Sequence, residues 1–410
     1  ALAQLFLFSI PSLSIGIVVR LLIPLLPFDS SYYWSVPILL AISAEYSRFP
    51  MQFDTLTQEL KDLIFKVLAN FYICPPNKEA VVFERIGAQR GYNSAIHRVT
   101  LEDGRIFAIK ITDHEEDAIL NMLHNRELEF YDWLDGVRSE ATCDPDDLKY
   151  LLKFFGGTKC DSEPGVLIFN DLSSRVYKYQ PDYTIGYEPY VVFQIVKQIA
   201  AYQSVYLSTD RDVSRGDELI KYHSTVKKTI KKLYRLKWMT EEEKEHLREW
   251  TQPENLFALH TEIPSQVEGI SPVIAHCDLW NGNMIFEKTE DRTQLLAILD
   301  WQTFKIGNPL LDVATIIGKN MHTVDRRYFT DRILKLYTDE IDKRKGGFKK
   351  QFDMTPEKAQ ILFNHAFRWP CIQTMFAVIL NPKGDIKDEG EEMGRLSKRL
   401  RELMKDVLQK

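Results

Sequence analysis

The chain has 410 residues, 45% hydrophobic and 27% charged, a globular composition with enough apolar residues for two lobes. Its net charge of −6 lacks the basic surplus of a nucleic-acid-binding protein, so no nucleic-acid partner is expected. The five cysteines, at 74, 143, 160, 277 and 371, form no C-x-x-C pair, which argues against a disulfide framework or zinc site and for a reducing, cytoplasmic setting.

Between Ala1 and Ala44 only Arg20 and Asp29 are charged. About 20 apolar residues span a bilayer, so residues 1–44 are read either as a membrane anchor or span or as an apolar segment packed on the domain. Pro11, Pro24, Pro27 and Pro37 count against a continuous helix, and no basic n-region marks a secretory signal. The first residue is Ala rather than Met, so a truncated start is a further reading. A soluble pattern begins near Asp54. Thr55-Leu-Thr-Gln58 predicts a capping box, and Leu60, Leu63, Ile64, Val67 and Leu68 mark one face of a helix that Pro75 and Pro76 end.

Three strand-like runs follow, Ala80–Ile86, Ala95–Leu101 and Arg105–Ile111. Asp103-Gly104 between the last two predicts a type I′ hairpin. Between the first two, Gly87 and Gly91 would let backbone N–H groups approach phosphates, although two glycines also suit a plain turn. Lys110 lies among apolar residues of the third strand. It is read either as an edge lysine facing water or as the lysine that bridges nucleotide phosphates, which requires a carboxylate on a following helix. The pattern from Glu115 to Leu134 predicts that helix, with Ile119, Leu123, Phe130 and Leu134 on its apolar side. Glu127 is one turn beyond Leu123 and shares that side, so it is the expected partner of Lys110; Glu129 points elsewhere.

Val166–Phe169 is a further strand, with Asn170-Asp171-Leu172 where a two-lobed kinase would have its hinge. From Tyr190 the pattern is mostly helical, and the Lys/Glu-rich stretch 215–250 reads as solvated helices.

The run His276-Cys-Asp-Leu-Trp-Asn-Gly-Asn283 carries an H-x-D-x-x-x-x-N spacing that suits ATP-dependent phosphoryl transfer. Met284–Glu287 and Leu295–Leu299 are apolar runs around a polar turn, which predicts an antiparallel hairpin. Asn283 and Asp300 then face each other across strands about 5 Å apart and could share one magnesium. Asp278 would sit beside the attacking hydroxyl as base or orienting group, and His276 is read as a packing residue.

With Gly87, Lys110, Glu127, Asp278, Asn283 and Asp300 in this order, the chain resembles the CHK kinase-like and ecdysteroid kinase-like family, relatives of choline kinases and aminoglycoside phosphotransferases. The likeness covers roughly residues 55 to 405 and is most specific at N-R-E-L-E-F-Y (125–131), H-C-D-L-W-N-G-N-M (276–284) and L-D-W-Q-T-F-K-I-G-N-P (299–309). Asp312 falls where the family carries a structural Asp. The resemblance implies an α+β, bilobal protein-kinase-like fold, with a small antiparallel-sheet N-lobe and a mainly helical C-lobe. The expected division is an apolar segment over 1–50, the N-lobe over 51–170 and the C-lobe over 171–410. It also implies ATP and Mg2+ as cofactors and a small-molecule hydroxyl acceptor. Three positions depart from the family pattern. Cys277 replaces the usual Gly, Asn170 the Glu of E-D-L, and Gln203 the His of L-A-x-x-H-A. None removes a phosphate or metal ligand, so an active enzyme is expected; the alternative is a pseudokinase or nucleotide-binding scaffold, membrane-tethered or not.

A protein kinase would need a long activation segment and an A-P-E-like anchor. Here Gly307-Asn-Pro309 follows Asp300 within a few residues, which favours a small acceptor. Phe367, Arg368, Trp369 and Met375 lie on a late helix, Phe363–Leu380, and are read either as an aromatic pocket for a cation or flat ring system or as core packing. The acceptor's identity and the oligomeric state are left open by the sequence.

Overall fold

The computed structural model describes residues 56–410 apart from 71–72, 74–76, 87–93, 114–117, 141–143, 174, 176–181, 183, 217–222, 289–291, 381, 383–384, 386, 388–390, 392 and 410. The apolar segment 1–50, Thr55, Gly87 and Gly91 lie outside the described residues. Among the described residues, no helix is long and apolar enough to cross a membrane.

Thr57 stands immediately before the first described helix, α1 (Gln58–Asn70). The hydroxyl of Thr57 accepts the backbone N–H of Leu60 at 3.3 Å, the contact an N-cap makes. Leu60, Ile64, Val67 and Leu68 are buried against the sheet.

That sheet has five strands in the order β1-β2-β3-β5-β4, every pair antiparallel: β1 (Val82–Ile86), β2 (Ala95–Thr100), β3 (Ile106–Thr112), β4 (Phe154–Thr158) and β5 (Gly165–Asn170). Successive strand residues face opposite sides. Phe107, Ile109 and Ile111 therefore join the core beneath α1, and Ala108 and Lys110 face the other side. There they meet α2 (Ala118–Ser139).

The turn between β2 and β3 differs from the two-residue type I′ hairpin. Leu101 N–H bonds to Arg105 O at 2.9 Å and Gly104 N–H to Leu101 O at 3.0 Å, with Gly104 at φ 83°. This is a three-residue loop, a type I turn closed by a left-handed glycine. Strand β4 has no clear sequence signal because Gly156 and Gly157 interrupt Phe154-Phe-Gly-Gly-Thr; it forms by pairing with β5 through a bulge at Phe154/Gly156.

The larger part is mainly helical. Helix α3 (Pro189–Ser208) is buried along most of its length, with α8 (Thr323–Asp342) packed beside it. Helices α4 (His223–Ile230), α5 (Glu241–Trp250) and α6 (Pro253–Thr261) lead to a short strand, β6 (Val273–Ala275). The expected hairpin is present: β7 (Met284–Lys288) pairs with β8 (Thr293–Ile298), Met284 opposite Ile298. Strand β9 (Lys305–Gly307) pairs with β6, and α7 (Leu311–Asn320), α9 (Pro356–Ala366), α10 (Arg368–Leu380) and α11 (Arg395–Leu408) complete the fold. The architecture is α+β, a small antiparallel sheet followed by a helical lobe.

Helix α2 is tied to the sheet by a buried histidine. His124 Nε2 donates to Thr158 O at 2.8 Å, so its Nδ1 accepts from the Thr112 hydroxyl at 3.0 Å. A Cβ at Gly165 would collide with the imidazole, which explains the glycine that opens β5. Burial lowers the His124 pKa from 6.5 to about 4, with the nearby Lys110 charge acting the same way. The unfolded chain therefore takes up a proton that the folded chain refuses. The His124 contribution to stability is complete above pH 6.5 and lost as pH falls towards 4. Urea unfolding of wild type and His124→Gln at pH 7 and pH 5 should show a smaller acid loss in the variant, by roughly 2 kcal/mol. Equal losses would mean that the ring is not held neutral.

Candidate active site

Strand β3 and helix α2 bring together the two small-lobe residues singled out by sequence. Lys110 Nζ lies 2.5 Å from Glu127 Oε2 and 2.7 Å from Asp300 Oδ1. One ammonium thus joins a carboxylate of the small lobe to one that follows β8 in the large lobe. Burial alone would lower the lysine pKa, but Asp300 and Glu127 outweigh it and hold Lys110 protonated.

The rest of N-R-E-L-E-F-Y fixes the angle of α2. Asn125 bonds both backbone groups of Cys160, accepting its N–H at 2.8 Å and donating to its carbonyl at 3.2 Å. The Arg126 guanidinium lies over the Phe304 ring at 3.9 Å, donates to Phe304 O at 2.6 Å and also bonds Ser214. Glu129 accepts the Ser214 N–H at 2.7 Å. Phe130 stacks on Trp301, ring centres 3.9 Å apart and planes within 4°. Arg126 and Trp301 were not singled out by sequence, because their partners lie far along the chain.

The loop 276–283 is held from below by Asp312. This carboxylate accepts the backbone N–H of His276 at 2.7 Å, that of Cys277 at 2.9 Å and the Tyr202 hydroxyl at 2.6 Å. Cys277 stands at φ 67° and Asp300 at φ 64°, the two non-glycine residues with positive φ among those described. Such a conformation costs on the order of 1 kcal/mol or more and persists only where neighbours impose it. At Cys277 the imposing groups are Asp312 below and two α10 donors above: Trp369 Nε1 reaches Cys277 O at 3.0 Å and Gln373 Nε2 at 3.3 Å.

His276 is structural. Its Nε2 donates to Leu299 O at 2.8 Å, its Nδ1 accepts the Asp278 N–H at 3.2 Å, and burial lowers its pKa, so neither nitrogen is left to act as a base. Gln203 fills the position of the family histidine by donating to Pro309 O at 3.1 Å and accepting from the Tyr337 hydroxyl at 2.7 Å.

Asp278 is 3% exposed. Asn283 Nδ2 reaches its Oδ2 at 3.0 Å, and Gln373 Nε2 its Oδ1 at 3.3 Å. Its pKa is pushed up to about 7 by burial, with Asp300 acting the same way and Lys319 and the Asn283 amide opposing. Gln373 and Lys319 were also missed by sequence; the available signal for Lys319 was a charge near the end of the apolar run Leu311–Gly318.

Asn283 and Asp300 end up on adjoining chain segments, Leu299 N–H bonding to Asn283 O at 2.8 Å. The Asn283 amide nitrogen is occupied by Asp278, which leaves its Oδ1 as the donor for a cation. With one Asp300 carboxylate this is a hard-oxygen pair that suits magnesium completed by phosphates and water. Among the described residues no group of three or more His, Cys, Asp or Glu side chains could form an all-protein cage. Gly87 and Gly91 are outside the described residues. Of the late-helix residues, Phe367, Trp369 and Met375 are buried, and Trp369 packs edge-on to His260 at 4.2 Å, so they belong to the core.

Residues 85–409 match the family described as "Uncharacterized oxidoreductase dhs-27" (DUF1679), the ecdysteroid kinase-like family. The chain belongs to this family. Among the described residues the five-stranded sheet is antiparallel throughout, without the parallel strand–helix–strand unit of dinucleotide-binding folds. No curated protein matches the sequence. Similar solved structures at low identity include the following three. Aminoglycoside phosphotransferase APH(2'')-Ib with ADP bound is 13% identical over 86% of this chain and 99% of its own, TM-score 0.43. Macrolide 2'-phosphotransferase type I is 12% identical over 86% and 98%, TM-score 0.40. Macrolide 2'-phosphotransferase MphH from Brachybacterium faecium is 12% identical over 84% and 98%, TM-score 0.39.

Asp312→Ala would leave two buried N–H groups and the Tyr202 hydroxyl without their acceptor. A loss of roughly 3–5 kcal/mol in urea unfolding is expected, well above that of Cys277→Ala, which keeps the backbone contacts. Comparable losses in the two variants would show that Asp312 does not hold the loop.

Proposed function

We propose that the chain is an ATP- and Mg2+-dependent phosphotransferase that moves a phosphoryl group onto a hydroxyl of a small molecule. The observation that carries this reading is the meeting of Lys110, Glu127 and Asp300 with Asp278 and Asn283, residues drawn from both lobes. The similarity to aminoglycoside and macrolide phosphotransferases is in keeping with a small acceptor. So is the short path from Asp300 through β9 to α7, which offers no platform for a peptide.

In this reading Lys110, steadied by Glu127, holds nucleotide phosphates. Asn283 and Asp300 would hold magnesium, which would supply charge neutralisation on the phosphates when bound. Asp278 accepts the proton of the acceptor hydroxyl. The hydroxyl oxygen bonds to the γ-phosphorus as the bond from that phosphorus to the bridging oxygen breaks, and ADP leaves. The amides of Asn283 and Gln373 keep the Asp278 carboxylate in one orientation, so most of the catalytic effect is positioning.

Asp278→Asn keeps the shape and removes the charge. Turnover, measured as ADP release with a responsive acceptor, should fall by roughly 10²–10⁴-fold, with Mg-ATP affinity within about three-fold of wild type. Wild-type turnover in this variant would move the base elsewhere. Asp300→Ala should weaken magnesium-dependent ATP binding by about ten-fold or more in calorimetric titration, and equal binding with and without magnesium is the expected signature. A wild-type chain that binds Mg-ATP yet turns over no hydroxyl compound in a broad panel would favour the nucleotide-binding scaffold.

A further inference from the structure

Beside the loop 276–283 a lysine is buried with no hydrogen-bond or ion-pair partner among the described residues. Lys319, the penultimate residue of α7, is 6% exposed. Among the described residues none hydrogen-bonds or ion-pairs with its ammonium, which lies 5.9 Å from the centre of the Trp280 ring. Lysine is rarely buried unless paired. The Lys319 ammonium is not among the described side-chain nitrogens sealed from solvent without a partner, so a ligand can reach it, and Asp278 supplies an opposite charge nearby.

The position is built rather than incidental. The next residue, Asn320, donates from Nδ2 to Leu279 O at 3.3 Å, and its own carbonyl accepts the Tyr187 N–H at 2.5 Å. The Tyr187 hydroxyl in turn donates to Asn281 Oδ1 at 2.5 Å. The end of α7 is thus fastened on both sides of the loop that carries Asp278. Trp280 is fixed too, because its ring lies where a Cβ of Gly282 would be, so glycine is required there.

Lys319 reaches the loop from α7, over the Trp280 ring, whereas Lys110 reaches Asp300 from β3. The two ammoniums thus approach the site from different elements, and the α7 approach is taken as the acceptor's. Arg399, on α11, donates to Thr184 O at 3.1 Å, and the Asp278 charge favours a protonated Lys319.

We propose that Lys319 receives an anionic group of the acceptor, which is then an oxyanion-bearing hydroxyl compound, a hydroxy acid or an alcohol phosphate. Its hydroxyl reaches Asp278 while its carboxylate or phosphate meets the ammonium above the Trp280 ring. An amine at the same place would meet the like charge of the Lys319 ammonium. The acceptor class rests on the phosphotransferase reading; the anion site itself does not.

Two readouts test it, both on the full chain. In the first, lysines are acetylated in inorganic phosphate, in acetate, or in chloride at equal ionic strength, and modification is followed by peptide mass spectrometry. Phosphate or acetate should slow the labelling of Lys319 by about three-fold or more, with the exposed Lys335 unchanged. Equal rates at Lys319 in the three salts overturn the proposal. In the second, ADP release from Mg-ATP is compared for glycerol, glycerate, glycerol 3-phosphate and serinol, using wild type, Lys319→Met and Lys319→Arg. The ratio of kcat/KM for the anionic members over glycerol should fall about ten-fold in Lys319→Met and partly recover in Lys319→Arg. A preference for glycerol or serinol, or an anionic preference that survives in Lys319→Met, overturns the proposal. The better of the two anionic members tells carboxylate from phosphate. Failure of the wild type to bind Mg-ATP would sink the phosphotransferase reading instead, and the labelling result would still decide the anion site.

Discussion

One ammonium joins the two lobes. Glu127 and Asp300 approach the same lysine from different parts of the fold, at 2.5 and 2.7 Å, and two carboxylates so placed repel each other unless a cation lies between them. Lys110 is therefore a structural requirement as well as a candidate phosphate ligand. The alternation of β3 sends it to the face opposite Ile109, and the N-R-E-L-E-F-Y segment rotates α2 until Glu127 can reach it. Arg126 and Phe130 lock that rotation by gripping Phe304 and Trp301, which flank the segment that begins with Asp300. The position of the helix and the position of the large-lobe carboxylate are thus set by a single connected cluster.

The second constraint is backbone strain beneath Asp278. Cys277 occupies a conformation that glycine would adopt freely, and the chain holds it there with hydrogen bonds on both sides of its peptide groups. This explains how a side chain is tolerated where the family usually has glycine. The thiol is buried, and burial raises its pKa, which leaves it an inert packing group rather than a nucleophile. The replacement of a family histidine by Gln203 is absorbed similarly, since the amide offers a donor to Pro309 and an acceptor to Tyr337.

The elements read most clearly in the sequence were those whose chemistry enforces a spacing. The catalytic-loop run and its hairpin were visible because Asn283 and Asp300 must flank two short strands. The strand lysine and helix carboxylate were visible because alternation and helical periodicity say which way each points. Details that depend on competing local geometries were less clear. Thr57 caps α1 where Thr55 was equally suitable by composition, and Asp103-Gly104 serves a three-residue loop as readily as a two-residue one. Strand β4 depends on its neighbour, because its glycines carry no side-chain signal. Arg126 and Lys319 could not be assigned from pattern alone, since the meaning of each lies in contacts with distant segments. The contact from Arg126 to Phe304 spans 178 residues.

The distribution of polar contacts also narrows what the acceptor side of the site can be. The α10 aromatic most suited to a cation cage, Trp369, spends its indole N–H on the Cys277 carbonyl and its ring on His260. Gln373, one turn on, spends its amide hydrogens on Cys277 and Asp278. These side chains hold the Cys277 carbonyl and the Asp278 carboxylate and are not available as a cage. Close by in the same loop is the buried Trp280, with the Lys319 ammonium over its ring at 5.9 Å from the centre. The same ammonium also opposes the burial effect on Asp278, favouring the ionised carboxylate that proton acceptance requires. On the proposed reading one lysine would serve both to select the acceptor and to keep the neighbouring carboxylate charged, which gives the burial of Lys319 an electrostatic reason.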